Sequence, residues 1–207
     1  MQNLKQNNFM QRSHNLIIKV LVIILMLSFG VSYAAQVTIN DGFQAARKIE
    51  SRYFNIYIES GVDMQRLVMR LSVPESIKSV IRGSAPFTNS YTLSDQLDTL
   101  FLAVSEVMDM NVKRFKCDLK ISRNRSGLSD ISGRLFGKNI QPGGFYVVAI
   151  DTLYIDAENV TVNILGHELS HAIQTHYFVV PPPAKIQEIL AGYVEFQLRK
   201  YTNTLPR

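Results

Sequence analysis

VNILGHELSHAIQTHYF, residues 162 to 178, carries His167 and His171 four positions apart, with Glu168 directly after the first. No proline interrupts residues 159 to 178, and Ile164, Leu165, Leu169, Ala172 and Ile173 supply an uncharged side, so the spacing predicts one helix with a buried face. Four residues turn a helix through about 400° and raise it about 6 Å, which brings both imidazoles to one face where they can reach a single ion. Glu168 is turned about 100° from His167; it cannot easily be a third ligand, but it can reach a water held by that ion. Two imidazoles with an adjacent carboxylate at this spacing are the donor set of a zinc site with a general base. The chain has four histidines, and three of them, His167, His171 and His176, fall in this one stretch.

A catalytic zinc wants a third protein ligand. In the pattern HExxHxxGxxH a glycine lets a third histidine turn back, but here Gln174 and Tyr177 stand at those two places. His176 lies about 140° around the helix from His171, outside the same tetrahedron, and reads as a last-turn residue favoured by the helix dipole. The alternative is a glutamate from a following helix. Pro181-Pro182-Pro183 ends the first helix, and AKIQEILAGYVEFQLRKY, residues 184 to 201, predicts a second helix folding back antiparallel, with Ala191 and Gly192 small enough for close approach. Glu188 and Glu195 share a face of it and both fit the height of the histidines, so geometry leaves the two open.

HELSH followed by QEILAGYVE resembles the gluzincin branch of zinc metallopeptidases, in particular the aminopeptidase-type pattern N-E-G-F-A-x-Y-x-E. The resemblance covers about residues 144 to 197. It implies Glu188 as the third ligand, with Ala191, Tyr193 and Glu195 on the pattern's alanine, tyrosine and trailing acid. It implies a zincin-like fold: a small mixed sheet packed on the active-site helix, followed by the antiparallel glutamate helix. It further implies a sheet edge, at Gly144 to Ala149, that binds a polypeptide substrate as an added strand. Gly192 stands where several gluzincins have an aspartate that orients a histidine ligand. No GxMEN-like motif is present, so nothing supports an aminopeptidase. The expected chemistry is peptide hydrolysis by a zinc-activated water, with Glu168 as general base and Tyr193, Tyr146, Tyr154 or His176 as candidate oxyanion donors. The reading from another class is a catalytically silent zincin-fold binding module of the cell envelope.

Outward from this centre, GGFYVVAIDTLYIDA, residues 143 to 157, predicts two short strands with a turn near Asp151-Thr152. In KRFKCDLKISRNR, residues 113 to 125, Cys117, Leu119 and Ile121 alternate with Lys116, Asp118 and Lys120, which predicts a half-buried strand with a solvated face and a buried, unreactive thiol. Ser94 is expected to cap a helix whose Leu97, Leu100, Phe101, Val104 and Met108 form a core stripe, after a loop over residues 82 to 93. Tyr53 to Glu59 predicts a strand, and Asp63 a cap for a short helix carrying Met64, Leu67, Val68 and Leu71 before Pro74. Alternating helical and strand periods without repeats give the class α+β.

Residues 1 to 34 read as an export signal. Lys5, Arg12 and Lys19 precede the apolar run Val20 to Phe29, and Ser32-Tyr33-Ala34 fits a cleavage site before Ala35. The run is short of the roughly 20 residues that span a bilayer, so a membrane association is expected only if this segment stays uncleaved. The chain carries 22 Lys and Arg, and these three leave 19 against 17 Asp and Glu in residues 35 to 207. That near balance gives no reason to expect a nucleic-acid partner. Residues 35 to 207 fit one metallopeptidase domain, periplasmic or secreted, and the single cysteine permits no internal disulfide.

Overall fold

β2 (Phe54–Glu59) and β3 (Cys117–Ser122) alternate buried and half-buried along their lengths, as strands with one face in a core must. In the computed structural model, which describes residues 40–81, 92–139 and 143–205, these two are the centre of a five-stranded mixed sheet. Its order is β1-β2-β3-β5-β4, with β1 (Ala45–Glu50) antiparallel to β2, β2 parallel to β3, β3 parallel to β5 (Thr152–Asp156), and β4 (Gly144–Val147) antiparallel to β5 at the far edge. Six α-helices complete the described part: α1 (Met64–Arg70), α2 (Glu75–Lys78), α3 (Leu93–Met108), α4 (Arg125–Phe136), α5 (Val162–Tyr177) and α6 (Ala184–Tyr201). The class is α+β. The export segment and most of the loop expected over residues 82 to 93 lie outside the described residues.

The helices cover the sheet unequally. One large core joins the inward residues of β2, β3 and β5 to α1, α2, α3, α5 and α6, whereas Phe145, Val147 and Tyr154 turn the other way, onto Leu128 and Ile131 of α4. Cys117 is buried in the large core as expected, and burial pushes its thiol far up, out of the reactive range. The opposite face of β3 is less solvated than its alternation predicts. Lys120 ion-pairs with buried Asp41, which also accepts a hydrogen bond from the Tyr154 hydroxyl, at 2.5 Å.

Local chemistry sets the helix ends. Asp63 caps α1 by accepting from Arg66 N at 3.0 Å. For α3 the cap is Thr92, two residues before the expected Ser94. Thr92 Oγ1 accepts from Asp95 N and donates to Asp95 Oδ2 at 2.5 Å, a reciprocal pairing that Ser94, already inside the helix, cannot make. β1, α2 and α4 were not apparent in the sequence: β1 is exposed along nearly its whole length, and α4 buries only Leu128, Ile131 and Ser132.

α5 and α6 form the tightest helix pair. Gly166 sits where a Cβ would come within 2.1 Å of Leu198 Cδ1, so any larger residue at this point of the α5 and α6 crossing would have to displace the Leu198 side chain. Ala191 and Val194 of α6 are completely buried beside it. The two helices run over residues 162–177 and 184–201, the second with the bounds the sequence predicts.

Candidate metal centre

β5 delivers α5 through a short braced turn. Asp156 Oδ1 accepts from the N–H groups of Glu158 (3.0 Å) and Asn159 (2.8 Å), and Thr161 then caps the helix by accepting from Ile164 N. The helix therefore leaves the sheet in a fixed direction, with His167 and His171 one turn apart on the side that meets α6. The α6 start is held to α5 by Gln174 and Gln187: Gln187 Nε2 donates to Pro182 O at 2.7 Å, and Gln174 Nε2 reaches Gln187 O at 3.4 Å.

These constraints bring His167, His171 and Glu188 together, the one group of potential metal donors among the described residues, with one ligand atom of each inside 4.8 Å of the others. Each histidine Nε2 stands 3.6 Å from a different oxygen of Glu188. That separation is too long for a hydrogen bond, and the carboxylate straddles the two imidazoles with one oxygen toward each. The donor set fits a zinc ion.

Glu195, which spacing left open beside Glu188, goes to the other nitrogen. Its Oε2 lies 3.2 Å from His167 Nδ1, a fully buried atom, though out of line for a finished hydrogen bond. Arg199 holds Glu195 in place by donating from Nε (2.9 Å) and Nη2 (2.7 Å) to Oε1. Gly192 is exposed with open space around it and offers no acid there, and the carboxylate nearest His167 Nδ1 is that of Glu195.

Glu168 is turned toward the edge strand instead of the histidines' partner helix. Gly144 comes so close that a Cβ there would stand 3.3 Å from Glu168 Cγ and 3.0 Å from Tyr154 O. Burial pushes the Glu168 carboxyl up to about 8, and the charges of Glu188 and Glu195 add to this, while the Tyr146 backbone N–H opposes it. Burial also lowers the His171 imidazole, against the pull of Glu188, which keeps its lone pair free. Glu168, His171, Glu188 and Tyr146 line one cleft of about 300 Å³, open between β4 and the first turns of α6.

The expected oxyanion donors are mostly engaged elsewhere. Tyr146 donates to Asp151 Oδ1 at 2.8 Å, and His176 Nε2 is held by both oxygens of Asp151 at 3.0 and 2.9 Å, with its ring against Phe115. His176 is thus outside the metal cluster, as its helix angle predicts. Tyr154 is buried on the α4 side and Tyr193 is exposed on α6. Asp151 and Arg199 are the residues that motif reading missed. Asp151 occupies the left-handed region at φ 46, at the turn between β4 and β5, and the only visible sign of Arg199 was its spacing four residues after Glu195.

Comparison with known protein families, characterised proteins and solved structures finds no match to the chain.

Proposed function

We propose that the chain is an exported zinc-dependent peptidase with a zincin-like fold of the gluzincin kind. The observation that carries this reading is the convergence of two imidazoles one helical turn apart and a carboxylate from the facing helix, with one donor atom of each within 4.8 Å of the others. Three protein donors leave one tetrahedral position open, which marks a catalytic site in preference to a closed structural one. The antiparallel edge strand β4 beside Glu168 supports the fold assignment and suits an extended polypeptide added to the sheet.

In this mechanism His167, His171 and Glu188 would hold the zinc, and Glu195, 3.2 Å from His167 Nδ1, would orient that ring. When bound, zinc lowers the pKa of a water toward neutrality and polarises the scissile carbonyl. Glu168 would serve as general base in its ionised form, which a positive charge held at the neighbouring histidines would favour. Glu168 then accepts the proton of the attacking water and delivers it to the leaving amine. Its confinement against Gly144 keeps it beside the strand edge where the peptide would lie.

One observation favours a second reading, a zincin-fold binding module: Asp151 engages both Tyr146 and His176, two of the four side chains expected to donate to an oxyanion. The test is metal content with turnover. Folded protein purified without chelator should carry about one zinc per chain and cleave unfolded polypeptides, with activity lost to chelator and restored by zinc. Folded protein without zinc ends the metal reading; zinc-loaded protein without turnover makes the binding module the better account.

A further inference from the structure

Helix α6 is apolar on two opposite sides. Its inner side, with Ala191, Val194 and Leu198, is completely buried. Its outer side carries Ile186, Ile189, Tyr193 and Phe196, which recur at steps of three and four and are 44%, 57%, 48% and 51% exposed. The stripe continues into the preceding loop, where Val179 and Val180 are 102% and 79% exposed ahead of three prolines. A run of this extent on a soluble surface marks an interaction site.

The charges around the stripe identify the occupant. Lys185 and Lys200 flank it at the two ends of the helix, and no acid lies within it, because Glu188 and Glu195 are both turned to the histidines of α5. Apolar side chains at helical spacing with lysines at the margin and tyrosine among them are the composition of a helix lying in a membrane interface. A second copy would instead press one cationic, acid-free face against another. No described helix is long and apolar enough to cross a membrane, so the geometry is that of lying on a bilayer.

We infer that the outer face of α6, with the Val179-Val180 loop, is a docking surface for an anionic phospholipid bilayer. The inference does not depend on zinc or on catalysis.

The chain has no tryptophan, so a single one reports locally. The full chain would be prepared as Phe196→Trp and, as a control on α4 across the sheet, as Phe136→Trp, since Phe136 is similarly exposed at 47%. Each would be mixed with vesicles of phosphatidylcholine, with and without phosphatidylglycerol and with brominated acyl chains as quencher. The local readout matters because the chain's own N-terminal apolar run could hold it on vesicles whatever α6 does. The expected result is blue-shifted, bromine-quenched emission for Phe196→Trp on the anionic vesicles, none for Phe136→Trp, and at least about tenfold weaker binding when Lys185→Glu and Lys200→Glu are added. The proposal is overturned if Phe196→Trp stays unquenched, or if both reporters respond alike. It is equally overturned if Phe196→Trp shifts with protein concentration in the absence of lipid, which would make the face a contact between copies.

Discussion

The two faces of the sheet each carry a cluster of charged and titratable groups, one buried and the other open to solvent, and they are paired differently. On the α4 side, Asp41 is nine-tenths or more buried and accepts from Lys120, from Tyr154 and from Phe43 N at 2.9 Å. Burial alone would raise its carboxyl, but these donors and the Lys120 charge outweigh burial and hold it below the usual range. On the α5 and α6 side, three carboxylates, Glu168, Glu188 and Glu195, surround two imidazoles, and Glu168 is driven up to about 8. His167 Nδ1 is buried without a completed hydrogen bond. A structural cluster satisfies its own charges. In the second cluster Glu195 is paired with Arg199, whereas Glu188 faces both histidines without a hydrogen bond to either, and that difference sets the proposed site apart from the brace around Asp41.

The comparison breaks most visibly at Glu188. On the proposed function Glu188→Gln removes a ligand, so zinc affinity should fall by more than the roughly 100-fold upper bound for outer-shell changes, and turnover should vanish with it. Equilibrium dialysis against zinc reads this directly; unchanged affinity would mean that the third ligand is misassigned. Glu168→Gln should do the opposite, leaving metal content and fold intact while turnover on unfolded polypeptide falls at least about 100-fold, the low end for loss of a general base. An unchanged rate there would sink the mechanism while leaving the metal centre standing.

Glu195→Gln sharpens the comparison from inside the site. Because Glu195 faces Nδ1 of His167 and not the ion, its loss should weaken zinc by about 10- to 100-fold without abolishing it. Arg199→Ala should move affinity in the same direction by releasing Glu195. If Glu195→Gln strips the metal outright, the roles of the two glutamates are exchanged.

How far the sequence disclosed this follows from the range over which each signal acts. The histidine pair, its adjacent carboxylate and the α6 bounds are properties of short helical spacing, and they were legible. So was the exclusion of His176, since an angle on one helix needs no tertiary knowledge. Helical spacing did not choose between Glu188 and Glu195, because both lie on one face of α6; the resemblance implied Glu188, and the helix crossing brings Glu188 to the Nε2 atoms and Glu195 to Nδ1 of His167. Asp151 was hidden for a similar reason: its hold on Tyr146 and His176 joins a turn to the end of a helix 25 residues away. β1 was missed because AARKIE is exposed on both faces and so carries no alternation to read.

Asp41 provides the smallest effect and the control for all the others. Asp41→Asn keeps a neutral acceptor for Tyr154 but leaves the Lys120 ammonium without its charge partner, on a side chain only 20% exposed. Hydrogen bonds to charged groups are worth about 1.5–3 kcal/mol, and since part of the acceptor survives, a loss of about 1–2 kcal/mol is expected at neutral pH. The sign with pH follows from the lowered carboxyl. A group whose folded pKa lies below its unfolded value of 3.8 contributes stability above that value, and loses it as pH falls through the folded pKa. The gap between the wild-type and Asp41→Asn proteins in denaturant melts should therefore be constant near neutrality and narrow only below about pH 4. Zinc affinity should be the same in both, because the sheet lies between Asp41 and the histidines. A variant that loses zinc along with stability would show that the two faces are coupled and that the distinction between site and brace is too sharp.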